Sequence, residues 1–378
     1  MSVTEANRGI RLVIAGGGTG GHLFPGLATA REMTRRRPGA EVLFVTGERR
    51  METRILERSG YRQLSIRVLP LQGRGWTGAL AAVAGLPRSL FQARRLLKRF
   101  APQAALGVGG YASGPVCLAA RTLGLPTAIQ EQNSYPGLTN RLLCRIVDRV
   151  FISFEESRAG FPAGRLVLTG NPVRQEVLRV EPRPVDPARP LSVLVVGGSQ
   201  GARAVNTAVA DALVLVKRRE VDVRVVHQTG DADYERVLGM YTERGLRGVV
   251  TPFIEDMAGA YARADLVVGR AGASTVTELA ALGKPSILIP FPHAANNHQV
   301  TNARALADAG GAVLLLQKDL DGASLADLLI RYAADREPLR RMAARALEKA
   351  RPEATKAIVD QLEALMSRGS EGRGARGR

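Results

Sequence analysis

Two segments of the chain begin alike, and this repeat limits the possible fold more than any other feature. Arg11-Leu-Val-Ile-Ala-Gly-Gly-Gly-Thr-Gly-Gly21 and Leu191-Ser-Val-Leu-Val-Val-Gly-Gly-Ser-Gln-Gly201 each run from an apolar stretch into a glycine-rich turn. A short continuous apolar run suits a strand buried on both faces. Glycine after it lets the backbone turn tightly into a helix. Each segment therefore predicts strand, turn and helix, the opening of a parallel α/β domain. Domains run about 100–200 residues, so a chain of 378 residues with two such openings is expected to hold two.

The alternation continues on both sides of an interruption. In the first half, strands are predicted at Arg11–Ala15, Val42–Thr46, Ala105–Val108, Thr127–Ile129 and Arg149–Ile152, with helices such as Gly26–Arg37 and Ser113–Leu123 between them. Glu181-Pro-Arg-Pro-Val-Asp-Pro-Ala-Arg-Pro190 breaks the pattern and reads as a linker. Strands resume at Leu191–Val196, Val223–His227, Leu266–Val268 and Ser286–Ile289, and the last helices run from about Leu325 to Met366. Ser367–Arg378 is rich in Gly, Arg and Ser and is expected to be disordered.

Charge narrows the partners. The chain carries 53 Lys+Arg against 35 Asp+Glu, a net +18, and residues 1–150 alone hold 22 against 8. Most of the excess thus belongs to the first domain and points to nucleic acid, anionic membrane or a phosphate-rich substrate. Cys117 and Cys144 form neither a disulfide framework nor, with only 4 histidines, a zinc pattern, and read as buried free thiols. Met1–Gly9 is short and polar with no apolar core, and no stretch reaches the roughly 20 apolar residues of a membrane span. A cytoplasmic protein is expected.

Gly16-Gly-Gly-Thr-Gly-Gly21 fits G-x-G-x-x-G directly after a strand. Backbone amides there can approach a diphosphate at a helix N-terminus. The same spacing also serves as a plain tight turn. A dinucleotide site would want an acid at the end of the second strand, and Glu48, beside Arg49 and Arg50, is the candidate. His22 follows the loop. A helix N-terminus favours neutral imidazole, which accepts protons; a histidine bonded only locally is the other reading.

Gly197-Gly-Ser-Gln-Gly201 matches the G-x-S-x-G of α/β-hydrolases, which would need an acid and a histidine downstream, such as Asp265 and His293. A complete domain ahead of the motif is awkward for that fold. A phosphate loop using Ser199 is preferred. Asp231-Ala-Asp233 and Asp319-Leu-Asp321 resemble a metal-binding D-x-D pattern but read as turns and helix caps.

Asp265 to Glu278 (DLVVGRAGASTVTE) carries a strand into a turn of small residues and a helix from about Ser274. The turn exposes amides to phosphate. Glu278 could accept both hydroxyls of a ribose, while Thr275-Val-Thr-Glu278 also fits a capping box. Pro290–Asn302 is a polar loop of His and amide side chains suited to sugar hydroxyls. Glu131-Gln-Asn133 lies at a strand's C-terminal end, where α/β sheets place ligands. Arg174 stands at the domain junction. Arg74–Phe91, with the only tryptophan, continues to Arg94-Arg-Leu-Leu-Lys-Arg99 and suits either an anionic membrane surface or a core-facing helix with a basic outer face. No recognised motif supports nucleic acid.

These motifs occur together and in order: Gly16–His22, Gly107-Val-Gly-Gly-Tyr-Ala-Ser-Gly-Pro115, Glu131–Asn133, Gly170-Asn-Pro-Val-Arg174, Gly197-Gly-Ser-Gln-Gly-Ala-Arg203 and Arg270–Glu278. The set, spanning roughly residues 10–365, resembles the MurG family of bacterial peptidoglycan N-acetylglucosaminyltransferases. The resemblance implies a GT-B fold, two Rossmann-like parallel-sheet domains facing each other across a cleft. It implies an N-terminal acceptor and membrane domain over 1–170, a linker over 171–190 and a C-terminal UDP-GlcNAc domain over 191–352. The final helix, about 353–366, would pack back on the first domain, ahead of a basic tail over 367–378.

The implied reaction moves GlcNAc, with inversion, from UDP-GlcNAc to the C4 hydroxyl of the muramoyl sugar of lipid I, the undecaprenyl-diphosphate-linked muramoyl-pentapeptide. No cofactor and no metal are implied, and the partners are these two substrates and an anionic membrane on the cytoplasmic face, without nucleic acid. Thr19, Gly20, Gly21 and Asn133 would line the site near donor sugar and acceptor, while Ser199 and Arg174 would contact the nucleotide. Ile254 would present backbone to uracil; Ala273, Ser274, Thr275, Val276, Thr277 and Glu278 would hold diphosphate and ribose, and Gln299 the GlcNAc hydroxyls. His22 leads as general base and Glu131 is the rival; a His22 that only positions the lipid diphosphate stays open. A related glycolipid galactosyltransferase and, remotely, an NAD-dependent oxidoreductase are the alternatives.

Overall fold

The computed structural model describes residues 9–17, 20–48, 50–68, 75–181, 183–198 and 201–376. The chain divides into two compact units, one formed by residues up to Arg174 together with Pro352 onward, the other by Gln175–Arg351.

The first unit runs β1 (Arg11–Ala15), α1 (Gly20–Arg36), β2 (Glu41–Thr46), α2 (Arg50–Ser59), β3 (Arg62–Ser65), α3 (Gly75–Phe100), β4 (Ala104–Gly107), α4 (Ser113–Thr122), β5 (Thr127–Glu131), α5 (Leu138–Leu143), β6 (Arg149–Ile152) and β7 (Leu166–Leu168). Its seven strands are parallel in the order β3-β2-β1-β4-β5-β6-β7. Alternate residues of β1 feed two cores, as a strand covered on both faces requires. Leu12 and Ile14 pack with Leu23, Leu27 and Met33 of α1, while Val13 and Ala15 face Ala93 and Leu97 of α3 and Val116 of α4. Cys117 and Cys144 are buried free thiols, and burial pushes the Cys117 thiol up to about 12.

The second unit contains α6 (Gln175–Leu178), β8 (Leu191–Val196), α7 (Arg203–Arg218), β9 (Val223–Gln228), α8 (Tyr234–Glu243), β10 (Val249–Thr251), α9 (Met257–Arg263), β11 (Leu266–Gly269), α10 (Ala273–Ala281), β12 (Ser286–Leu288), α11 (His298–Ala307), β13 (Val313–Leu314), α12 (Gly322–Ala334) and α13 (Glu337–Glu348). Its six strands are again parallel, in the order β10-β9-β8-β11-β12-β13. Each sheet reverses strand order beside its first strand, β1/β4 in one and β8/β11 in the other. Ligands in such sheets bind beyond the strand ends at that reversal.

Two expectations need correction. The Pro-rich stretch is anchored to the second unit: Arg183 N donates to Ala262 O at 3.1 Å, and the Arg336 guanidinium donates to Arg189 O at 3.1 Å. Proline removes regular structure there without freeing the chain. The segment from 367, expected to be disordered, continues α14 (Ala354–Arg376) as helix. Its leading turns are held to the first unit by Ile358, Val359 and Leu362 in the α1 core, and Arg37 Nε reaches Glu363 at 2.7 Å. Gly369 lies so close to Pro126 that a Cβ would sit 2.6 Å from its Cγ. Among the described residues no helix is long and apolar enough to cross a membrane.

Candidate active site

In the first unit the strand register sets three loops side by side. Ala15 pairs with Gly107, and Gly107 with Ile129, so residues 16–17, 108–110 and 131–133 leave the sheet together. Gly16 N donates to Val45 O and Gly17 N to Gly109 O. A Cβ on Gly16 would lie 2.5 Å from Gly109 O, which explains the glycine on backbone grounds. Helix α1 begins at Gly20, earlier than Gly26 as expected, so Gly20, Gly21 and His22 form its first turn. The predicted residue Thr19 lies outside the described residues.

His22 is seated over Gly109, whose φ is 89° and whose Cβ would sit 2.8 Å from Nδ1. That nitrogen meets Gln132 Oε1 at 2.9 Å. Glu131, the rival base, is 1% exposed. Its Oε1 accepts Asn133 N at 3.0 Å and Asn133 Nδ2 at 3.3 Å, and its Oε2 accepts Gly137 N at 3.0 Å and Asn140 Nδ2 at 2.9 Å. Those donors occupy both oxygens, so Glu131 braces the loop that carries Asn133. Arg174 lies with its guanidinium 5.7 Å from the Phe24 ring, a cation–π contact that fixes it beside α1. Glu48 is exposed and paired with Arg67 at 3.5 Å.

In the second unit, Val196 pairs with Gly269, so residues 197–198 and residues 270–272, which lead into α10, leave the sheet side by side. Ser199 lies outside the described residues. Gly272 is the N-cap of α10 and supplies no side chain, so the first-turn amides at Ala273, Ser274 and Thr275 lack a capping group. Their dipoles suit a diphosphate. Ser274 Oγ is buried with no partner among the described residues, which suits a ligand oxygen there. The capping box over Thr275–Glu278 is not formed. Glu278, 6% exposed, instead accepts Tyr261 OH at 3.2 Å, and Thr277 Oγ1 turns back onto Ala273 O at 2.8 Å. Val276 is buried in the core.

Ile254 is half-buried, one residue past exposed Phe253. Gln299 Oε1 accepts Phe291 N at 3.0 Å, which leaves its amide nitrogen as the donor for a sugar hydroxyl. Arg270 was no site candidate, yet it ties this loop together. It donates to Ile289 O at 3.2 Å, Pro290 O at 3.1 Å and Gln317 Oε1 at 2.7 Å, and burial lowers its pKa. Asp265 accepts Ser192 N, at the far end of the sheet from 197–201, so no hydrolase triad forms. Asp233 is bound by Asn206 and Arg236, and Asp321 caps α12 in a capping box with Ser324.

Beneath Gly201 lies a buried chain. Asn206 Nδ2 donates to Thr229 O at 3.0 Å and Asp233 Oδ2 at 2.7 Å, so its Oδ1 accepts from His227 Nε2 at 3.1 Å. His227 Nδ1 then accepts Tyr241 OH at 3.0 Å. Gly201 rests on Thr229, with its Cβ position 2.5 Å from Thr229 O. Burial pushes His227 from 6.5 down to about 4. Below pH 6.5 the unfolded chain takes a proton that the folded chain refuses, so stability is full above that value and falls towards pH 4. The expected loss is about 3 kcal/mol, at about 1.4 kcal/mol per pKa unit. Urea unfolding at pH 7, 5.5 and 4.5 checks it: His227→Gln should flatten this segment, and equal slopes would contradict the assignment.

Residues 12–152 match the glycosyltransferase family 28 N-terminal domain, and residues 192–358 match the family's C-terminal domain. The chain is 46% identical over 357 residues to the UDP-N-acetylglucosamine--N-acetylmuramyl-(pentapeptide) pyrophosphoryl-undecaprenol N-acetylglucosamine transferase of Myxococcus xanthus (strain DK1622), covering 94% of this chain and 93% of that protein. The protein of the same name from Syntrophus aciditrophicus (strain SB) is 44% identical, covering 94% and 99%. A crystal structure of Acinetobacter baumannii MurG matches with TM-score 0.79 at 35% identity, covering 94% of this chain and 99% of that one.

Proposed function

The chain belongs to glycosyltransferase family 28, and from that premise we propose that it transfers GlcNAc from UDP-GlcNAc to the C4 hydroxyl of the muramoyl sugar of lipid I. The observation that carries this reading is near-full-length identity of 44–46% to proteins named for that transfer. The site chemistry agrees with it.

The acceptor oxygen attacks the anomeric carbon as the bond from that carbon to the β-phosphate oxygen breaks, inverting the centre and releasing UDP. His22 takes the hydroxyl proton. The negative charge that grows on the leaving diphosphate is met by the uncapped amides of α10 and the 197–201 loop. Arg174 and Ile254 hold the nucleotide, Glu278 the ribose and Gln299 the sugar. A donor and acceptor panel tests this against the galactosyltransferase alternative: UDP-GlcNAc with a muramoyl lipid should react, and preference for UDP-galactose with diacylglycerol would overturn it.

We further propose that the first unit sits peripherally on an anionic membrane, at the cytoplasmic face of the plasma membrane. Helix α3 buries Ser89, Ala93, Leu97 and Phe100 and turns Arg88, Phe91, Arg95 and Lys98 outward, with Phe91 67% exposed. The outward residues recur every three or four positions, so they form one stripe. Arg94 is excluded, because it bonds Thr122 Oγ1 at 2.9 Å. Trp76 falls among side chains outside the described residues. A basic side chain near such a surface is worth about 1 kcal/mol, so Arg95→Ala/Lys98→Ala should weaken binding to phosphatidylglycerol vesicles roughly 30-fold. Unchanged binding would remove α3 from the interface.

A further inference from the structure

The bonds around Gln132 decide which nitrogen of His22 carries a proton. Gln132 is 1% exposed, and its Nε2 donates to Val108 O at 2.9 Å. A backbone carbonyl only accepts, so the orientation of this amide is settled. The polarity then propagates in both directions. Gln132 Nε2 also donates to Gln130 Oε1, so Gln130 presents its own amide nitrogen to Asn171 Oδ1 at 3.1 Å. On the other side Gln132 Oε1 must accept from His22 Nδ1. Nδ1 therefore bears hydrogen and Nε2 carries the lone pair, with no partner for Nε2 among the described residues. The ring is seated closely over Gly109, where a Cβ would lie 2.9 Å from Cε1, so a side chain at that position would displace the ring from this bond.

We infer that Gln132 is a positioning residue that holds His22 in the Nδ1–H tautomer, which makes Nε2 the atom that takes the acceptor's proton. The step balances: the hydroxyl proton moves to Nε2, the oxygen's electron pair forms the new glycosidic bond, and UDP leaves with the electrons of the old one. The resulting imidazolium keeps its Nδ1–H bond to a neutral amide. In the serine-protease triad a carboxylate has this task, and the wrong tautomer there is costly. What Nε2 does rests on the transfer reading above; the tautomer itself does not.

Nitrogen-15 NMR of the histidine-labelled full chain tests the inference. The chain has only 4 histidines, so His22 is assigned by the signal missing in His22→Gln. Wild type should show Nδ1 protonated and Nε2 not. Gln132→Met should shift His22 towards the Nε2–H form and lower kcat by roughly 10–100-fold with the donor KM little changed. Gln132→Glu, which keeps the acceptor, should restore the tautomer. Nε2–H in wild type would overturn the inference, as would Gln132→Met with the wild-type tautomer and full kcat. If Gln132→Met does not fold, the wild-type spectrum decides alone. Wild type that shows the Nδ1–H tautomer yet transfers nothing would instead count against the proposed function.

Discussion

His22→Ala is expected to lower kcat for GlcNAc transfer by roughly 10²–10⁴-fold, the range for removing a positioned general base. The donor KM should stay within about twofold, because the donor contacts proposed above, Arg174 apart, come from the other unit and the loss falls on the transition state. The reasoning is local. His22 stands in the first turn of α1, one ring edge is held by Gln132 at 2.9 Å, and Gly109 leaves space for the ring. Glu131 does not substitute, since four donors hold its carboxylate inside the loop. Steady-state kinetics over both substrates separates the alternatives. If His22 only positions the lipid diphosphate, the acceptor KM rises and kcat survives; near-normal kcat would end the base assignment.

Glu278→Ala should raise the donor KM roughly 100-fold, about 3 kcal/mol, with a smaller effect on kcat. Hydrogen bonds to a charged acceptor are worth about 1.5–3 kcal/mol each, and a ribose offers two hydroxyls. The carboxylate is 6% exposed and steadied by Tyr261, so it would meet the proposed ribose already ordered. A donor lacking the ribose 2′-hydroxyl gives the control. It should bind wild type more weakly than UDP-GlcNAc does, while Glu278→Ala should no longer distinguish the two. If the variant loses affinity for both in the wild-type ratio, Glu278 supports α10 and does not read the ribose.

The legible parts of the fold were the strands buried on both faces. β1, β4 and β8 are apolar throughout or nearly so, and their register places the site loops. The edges left no such trace. β3 is Arg-Gln-Leu-Ser and mostly exposed, and β13 has only Val313 and Leu314. Such strands are specified by a neighbour's free edge more than by their own pattern. Helix α1 starts earlier than its sequence predicts, because Gly20, Gly21 and Pro25 are poor helix formers. Tertiary packing of Leu23 and Leu27 against Ile14 and Phe44 overrides that preference.

The candidate site was legible where chemistry-bearing residues follow strands, and less so where roles depend on side-chain direction. In Gln130-Glu-Gln-Asn133 the period of two puts Gln130 and Gln132 on one face and Glu131 on the other. That alternation is the signal that separates Gln132 from Glu131, whereas position at the strand's C-terminal end marks Glu131, Gln132 and Asn133 alike. Arg270 is hidden for a different reason: its partners are two backbone carbonyls and the distant Gln317 side chain, which no sequence pattern marks.

The reaction itself is the most direct measurement of the central claim. Labelled UDP-GlcNAc, the full chain and a lipid I analogue in detergent should yield UDP and a β-linked disaccharide lipid in equal amounts, with the label stable when acceptor is omitted. Label that remains on the nucleotide, or appears as free GlcNAc, would contradict the account.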